Sequence, residues 1–162
     1  MLVCGVDPGA STGLAFVVAG DKPMLVHSTT IHPCNQSKFT RARLLETAVL
    51  MTLAEFKPAL VVMEGARTYP HRKASTVSTI GTGENRGAVL TAIGHYIEVY
   101  KAEAVMVAAP DGRQGRGRRA TKGAARIACR AWFGFNRTVK MTDDECDAAV
   151  LAVAEARKRG AL

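Results

Sequence analysis

The sequence predicts an α/β domain. Its sheet is mixed and five-stranded, with the first three strands antiparallel and helices on both faces. Three observations predict this. The first 31 residues read as short strands joined by tight turns. From Lys38 the apolar spacing changes to that of a helix. Beyond Pro58, short apolar runs alternate with helical stretches, as in crossover units.

The first strand is expected over Leu2 to Asp7, an apolar run that ends in an acid, with a turn at Pro8-Gly9-Ala10-Ser11. Gly13 to Ala19 reads as the second strand. Asp21-Lys22-Pro23 is a turn signal, and Met24 to Ile31 alternates as a third strand. Lys38 to Phe56 has helical spacing, with Leu44, Leu45, Ala48, Val49, Leu50 and Leu53 as a broad apolar face, and Pro58 ends it. Ala59 to Met63 is a short, wholly apolar strand stopping at Glu64, which suits a buried parallel strand. Arg67 to Gly83 is polar and reads as a loop. Arg86 to Lys101 reads as a helix with Val89, Leu90, Ile93, Ile97 and Tyr100 on one face. Ala104 to Ala108 is expected as the last strand, Pro110 to Gly117 as a Gly/Arg loop, and Arg118 to Trp132 as a helix. Asp143 to Lys158 is expected as the final helix, with Ala148, Val150, Leu151, Val153 and Ala154 as apolar surface.

A length of 162 residues suits one domain, 1–162, with a sizeable core. With 48% hydrophobic residues and only 6% aromatics, that core must be mainly Val, Leu, Ala and Ile. No apolar run approaches the roughly 20 residues that span a bilayer. The N-terminus lacks the basic segment and cleavage site of a secretory signal, so an intracellular, cytoplasmic protein without membrane contact is expected. Cys4, Cys34, Cys129 and Cys146 form no Cys-x-x-Cys pair and have no His at zinc-finger spacing. Buried, reduced thiols are expected, rather than disulfides or a zinc site.

The net charge of +8 suits a polyanionic partner. Its distribution says more. Seven basic residues and no acid lie between Arg113 and Arg130: Arg113, Arg116, Arg118, Arg119, Lys122, Arg126 and Arg130. A solvated face is the plain alternative. A run this one-sided, opened by a Gly-rich loop, is better suited to phosphate contacts.

The acids stand out by position. Asp7 closes the first strand and Glu64 the fourth, and these two strands are natural parallel neighbours. Their C-terminal ends then bring both acids to the edge where open α/β sheets carry their sites. Asp143, Asp144 and Asp147 open the last helix, and the spacing of Asp144 and Asp147 puts them on one face. Turn or strand-end roles would also account for Asp7 and Glu64 taken singly. Thr142 to Glu145 fits a capping box, and acids favour a helix's first turn, which accounts for Asp143 and Asp144 without chemistry. Asp147, one turn deeper among alanines, is not explained that way. Clustered carboxylates repel unless a cation neutralises them, and oxygen-only ligands favour Mg²⁺ or Mn²⁺. Two such ions, about 3.5–4 Å apart, suit phosphodiester hydrolysis.

These residues resemble a known family. Gly5-Val6-Asp7-Pro8-Gly9 with Thr12-Gly13 resembles the opening strand and turn of RuvC-type Holliday-junction resolvases, within the ribonuclease-H-like nuclease superfamily. Val61-Val62-Met63-Glu64 resembles the strand carrying their second acid. Asn85-Arg86-Gly87-Ala88-Val89 is similar to the start of their next long helix, and Asp144 to Ala152 resembles their closing Asp-x-x-Asp helix. The likeness spans nearly the whole chain in the right order. It implies a ribonuclease-H-like fold and a homodimer that binds a four-way DNA junction in recombination and repair. It implies paired, Mg²⁺-dependent nicking with two ions per site and no small-molecule cofactor. Asp7, Glu64, Asp144 and Asp147 would be catalytic metal ligands, with Asp143 as a substitute for Asp144. Lys122 would contact phosphate, as would Arg113, Arg116, Arg118 and Arg119. Arg67 and Tyr69 would also meet nucleic acid. A bacterial or phage-encoded protein is implied.

Two features depart from the family pattern. The aromatic residue after the second acid, Tyr69, has an unusual offset, and the loop Arg113 to Arg119 is unusually basic. A less selective branched-DNA nuclease or an RNA-processing nuclease of the same fold therefore stays open, as does a non-catalytic nucleic-acid-binding module. The turn Asp7 to Gly13 also resembles the phosphate loop of actin-like ATPases, but those need two related domains and a longer chain.

Overall fold

The computed structural model describes residues 1–20, 22–32, 37–65, 76–99, 104, 118–134 and 140–160, and no side chains for 38, 39, 76–82 and 118–122. Strands β1 (Leu2–Pro8), β2 (Thr12–Val18) and β3 (Met24–Ile31) lead into helix α1 (Lys38–Phe56). Strand β4 (Leu60–Glu64), helix α2 (Thr76–Ile93) and strand β5 (Ile97–Val99) follow. Helices α3 (Arg118–Phe133) and α4 (Asp143–Lys158) close the described chain. The sheet order is β3-β2-β1-β4-β5. Strands β1 to β3 pair antiparallel, while β4 runs parallel to both β1 and β5. This is the expected mixed five-stranded α/β architecture.

Strand β1 lies at the centre, and its alternating side chains serve two cores. Val3 joins Ala15, Val17 and Val62 under α4. Cys4 and Val6 join Leu14, Phe16 and Met63 under α1 and α2, whose Leu45, Val49 and Val89 complete that layer. A strand covered on both faces must be apolar along its length, which is why Leu2 to Val6 carries no charge. Helix α4 is enclosed from Glu145 to Ala156. Its run of Ala and Val suits this position, because small side chains let it lie between the sheet and α3. Arg157 of α4 also lies over the Trp132 ring of α3, 5.7 Å from its centre.

Four expectations are corrected. The helix expected over Arg86 to Lys101 ends at Ile93, where Gly94 takes φ +69 and its N–H donates to the Leu90 carbonyl. Ile97 therefore belongs to β5 rather than to a helix face. The same helix begins at Thr76, inside the stretch read as a loop to Gly83. Ala104 has helical backbone, so the described fifth strand is Ile97–Val99; residues 105–108 of the expected last strand lie outside the described residues. On α1, Leu44 and Leu50 are exposed, since the helix carries more apolar residues than its contact with α2 and the sheet can cover. Cys4, Cys129 and Cys146 are buried free thiols as expected, and Cys34 lies outside the described residues. No described helix is long and apolar enough to cross a membrane.

Candidate active site

Two strand ends and one helix start build the site. In the β1–β4 ladder Val6 pairs with Met63, so Asp7 and Glu64 are the next residues along two parallel neighbours. Asp7 is 7% exposed, and Glu64 is half-buried. Across the antiparallel ladder Asp7 faces Gly13. A Cβ on Gly13 would lie 2.9 Å from the Glu145 amide nitrogen, and closer still to the Asp144 carbonyl. Only glycine lets the start of α4 come down on the strand pair there. Gly5 does the same one turn on, where a Cβ would collide with the Ala148 carbonyl. These two contacts seat α4 over β1 and β2, with Asp144 beside Asp7's ladder partner. Asp147, 1% exposed, precedes the residue that touches Gly5.

The start of α4 is held on three sides. The Glu145 amide donates to the Thr142 hydroxyl at 3.2 Å, the forward half of the expected capping box. The Glu145 carboxylate does not reach back. It accepts from Ser28 at 2.9 Å and Thr30 at 3.0 Å, pinning α4 to β3. Thr30 and Thr142 also share a hydrogen bond of 2.6 Å. On the other side Arg126 of α3 pairs with Asp143. Asp143 is thus engaged by the basic helix, while Asp144 is the acid next to Gly13. Deeper in, the Cys129 thiol is pushed far above its ordinary range, first by its hydrogen bond with Cys146 and then by burial.

Helix α2 grips both strand ends. The Asn85 side-chain amide donates to the carbonyls of Gly9 at 3.2 Å and Ala10 at 3.4 Å, in the turn that follows Asp7. The Arg86 guanidinium donates to the Glu64 main-chain carbonyl at 2.6 Å and to the Glu98 carboxylate at 2.6 Å. The Ser11 hydroxyl and the His32 ring, 3.0 Å apart, close the same edge on the β3 side.

The fold therefore brings the strand ends of Asp7 and Glu64 and the helix start of Asp144 to one edge. Among the described residues, no three His, Cys, Asp or Glu side chains are grouped closely enough to hold a metal ion. The acids at this edge are all carboxylates, the ligand type that hard divalent cations take. Arg118, Arg119 and Lys122 lie in the first turns of α3, where only the backbone is described. Arg67, Tyr69, Arg113 and Arg116 lie outside the described residues. Further along α3, Arg126 and Arg130 are exposed. Residue reading missed Glu145, Asn85 and Arg86 as parts of this site. Their signal is polar residues in the buried reach of helices, which becomes visible only once their strand partners are known.

No protein-family model and no curated protein matches the sequence. Solved structures do match by shape. Thermus thermophilus RuvC in complex with a Holliday junction substrate superposes with a TM-score of 0.77 at 22% identity, covering 99% of this chain and 97% of that one. Another structure of Thermus thermophilus RuvC gives 0.77 at 20% identity, covering 99% and 98%. The yeast mitochondrial Holliday junction resolvase Ydc2 gives 0.67 at 13% identity, covering 98% of this chain and 79% of that one. At these identities the likeness is one of fold, and the chain has the fold of these resolvases over nearly its whole length.

Proposed function

We propose that this chain is a metal-dependent endonuclease that resolves four-way DNA junctions by paired nicking, acting as a homodimer. The observation that carries the proposal is the meeting of acidic strand ends and an acidic helix start at one sheet edge: Asp7 beside Glu64, with Asp144 against Asp7's ladder partner. The same fold in a protein captured with a Holliday junction supports the substrate.

Asp7, Glu64, Asp144 and Asp147 would hold Mg²⁺, or Mn²⁺ in its place, and the bound ions would supply the charge that activates water and stabilises the leaving oxygen. The chain's own contribution is placement. Buried strand ends fix Asp7 and Glu64, and Gly5 and Gly13 admit the helix that brings Asp144 and Asp147. Arg126 pairs with Asp143, which favours Asp144 over its substitute Asp143 as the ligand on that turn. The basic run from Arg113 to Arg130 would hold backbone phosphates by charge, and Arg67 and Tyr69 would meet the strands near the junction centre.

The test compares cleavage of a four-way DNA junction, linear duplex DNA and structured RNA with Mg²⁺. Junction cleavage is expected, with paired nicks, and it is lost in Asp7→Asn, Glu64→Gln and Asp147→Asn while junction binding persists. Equal cutting of duplex or RNA would replace junction resolution by a less selective nuclease. Binding without cleavage of any substrate would leave a binding module.

A further inference from the structure

Asn85 and Arg86 are consecutive residues near the middle of α2, and each reaches a different strand end. Asn85 is 9% exposed and donates to two carbonyls of the turn after Asp7. The Arg86 side chain is 17% exposed and donates to the main chain of Glu64 itself. Consecutive helical side chains diverge by about 100°, so one helix can hold two separate points at a fixed spacing. Those points are the Gly9–Ala10 turn that leaves β1 and the Glu64 end of β4, both beyond the last ladder pair, Val6 with Met63. Glu98, on β5, takes the other arm of the guanidinium and holds its plane.

We propose that Asn85 and Arg86 are a positioning pair that sets the separation of the Asp7 and Glu64 carboxylates. This rests on the nuclease reading above. Neither residue touches the scissile phosphate; each acts through the backbone that carries an acid. A small change in that separation alters cleavage and ion binding at the acids far more than it alters affinity for the junction, which the basic run supplies.

The test uses the full chain carrying Asn85→Ala, Arg86→Met, Arg86→Lys or Glu98→Gln. Three quantities are measured: single-turnover cleavage of a bound four-way junction with Mg²⁺, junction affinity without divalent ions, and Mn²⁺ binding to the protein alone by electron paramagnetic resonance. Asn85→Ala and Arg86→Met are expected to slow cleavage by roughly ten- to a hundredfold and to weaken Mn²⁺ binding, with junction affinity unchanged. Arg86→Lys, which keeps one donor to the Glu64 carbonyl, recovers part of both. A purely structural role would instead lower junction affinity and cleavage together, and that result overturns the proposal. So do unchanged cleavage and unchanged Mn²⁺ binding. If Arg86→Met does not fold, Glu98→Gln decides for Arg86, since Glu98 is half-exposed: slower cleavage at unchanged affinity supports the role, and wild-type rates refute it. A wild-type protein that neither cuts the junction nor binds Mn²⁺ sinks the nuclease reading and this one with it; an active wild type with indifferent variants sinks this one alone.

Discussion

Adding one methyl group at Gly5 should do more harm than most substitutions in this protein. A Cβ there would stand 2.7 Å from the Ala148 carbonyl carbon, nearer still to its oxygen, and 3.2 Å from the Ala152 amide nitrogen. Ordinary carbon contacts begin at about 3.5 Å, so α4 must retreat by at least about 0.8 Å. All three neighbours are helix backbone, so no rotamer change can absorb the overlap. Overpacking costs about 1–3 kcal/mol where some neighbour can yield, and Gly5→Ala should fall at the upper end, about 3 kcal/mol. For a domain of this size that is a drop in Tm of roughly 6–12 °C. Gly123 in α3 is the control of opposite sign. A Cβ there meets nothing within 4 Å. Gly123→Ala should therefore stabilise by about 0.5–1 kcal/mol, through the smaller entropy of its unfolded chain. Thermal unfolding followed by circular dichroism measures all three proteins. A Gly5→Ala protein melting within about 2 °C of wild type would refute the close packing of α4 on β1.

Two other predictions concern groups held inside the fold. Glu145→Ala should cost about 2–3 kcal/mol in denaturant unfolding, because the Ser28 and Thr30 hydroxyls lose a charged acceptor, while Glu145→Gln should keep part of it; a loss under about 0.5 kcal/mol would mean water replaces the carboxylate there. Burial holds the Cys4 thiol well above its ordinary value of 9.0, so the folded chain keeps a proton that the unfolded chain gives up as pH rises past that value. Its contribution is complete below the unfolded value and is lost above it, by at most about 1.4 kcal/mol per pH unit. Unfolding at about pH 8 and about pH 10 should show a shallower fall for Cys4→Ala than for wild type, and parallel falls would remove the thiol from the account.

Much of the sheet was legible in the residues. The apolar run ending at Asp7 and the one ending at Glu64 each spell a buried strand with one charged end, and the parallel pairing of β1 with β4 follows from the helix between them. The region after Glu64 was not legible. Gly81, Gly83 and the polar residues around them oppose a helix by local preference, yet α2 extends through them. Its packing on α1 and β1, through Ala88, Val89 and Ala92, outweighs that preference. Ile97 follows Ile93 at helical spacing, so only the positive φ of Gly94 separates helix from strand there. At the site, strand ends could be placed from sequence because their positions follow from pairing. Glu145 could not, because a capping-box residue and a cross-link to β3 have the same local signature, and only the tertiary contact tells them apart.

The enclosure of α4 bears on how the molecule breathes. Twelve successive residues, Glu145 to Ala156, are buried, so this helix has no watery side along which to peel away. Its amides can trade hydrogen for deuterium only when the sheet and α3 separate together, close to the free energy of complete unfolding. Asp147 thus sits inside a stretch expected to exchange slowly, and Asp144 immediately before it, so any flexing at this edge should begin in the elements around α4 rather than in α4 itself.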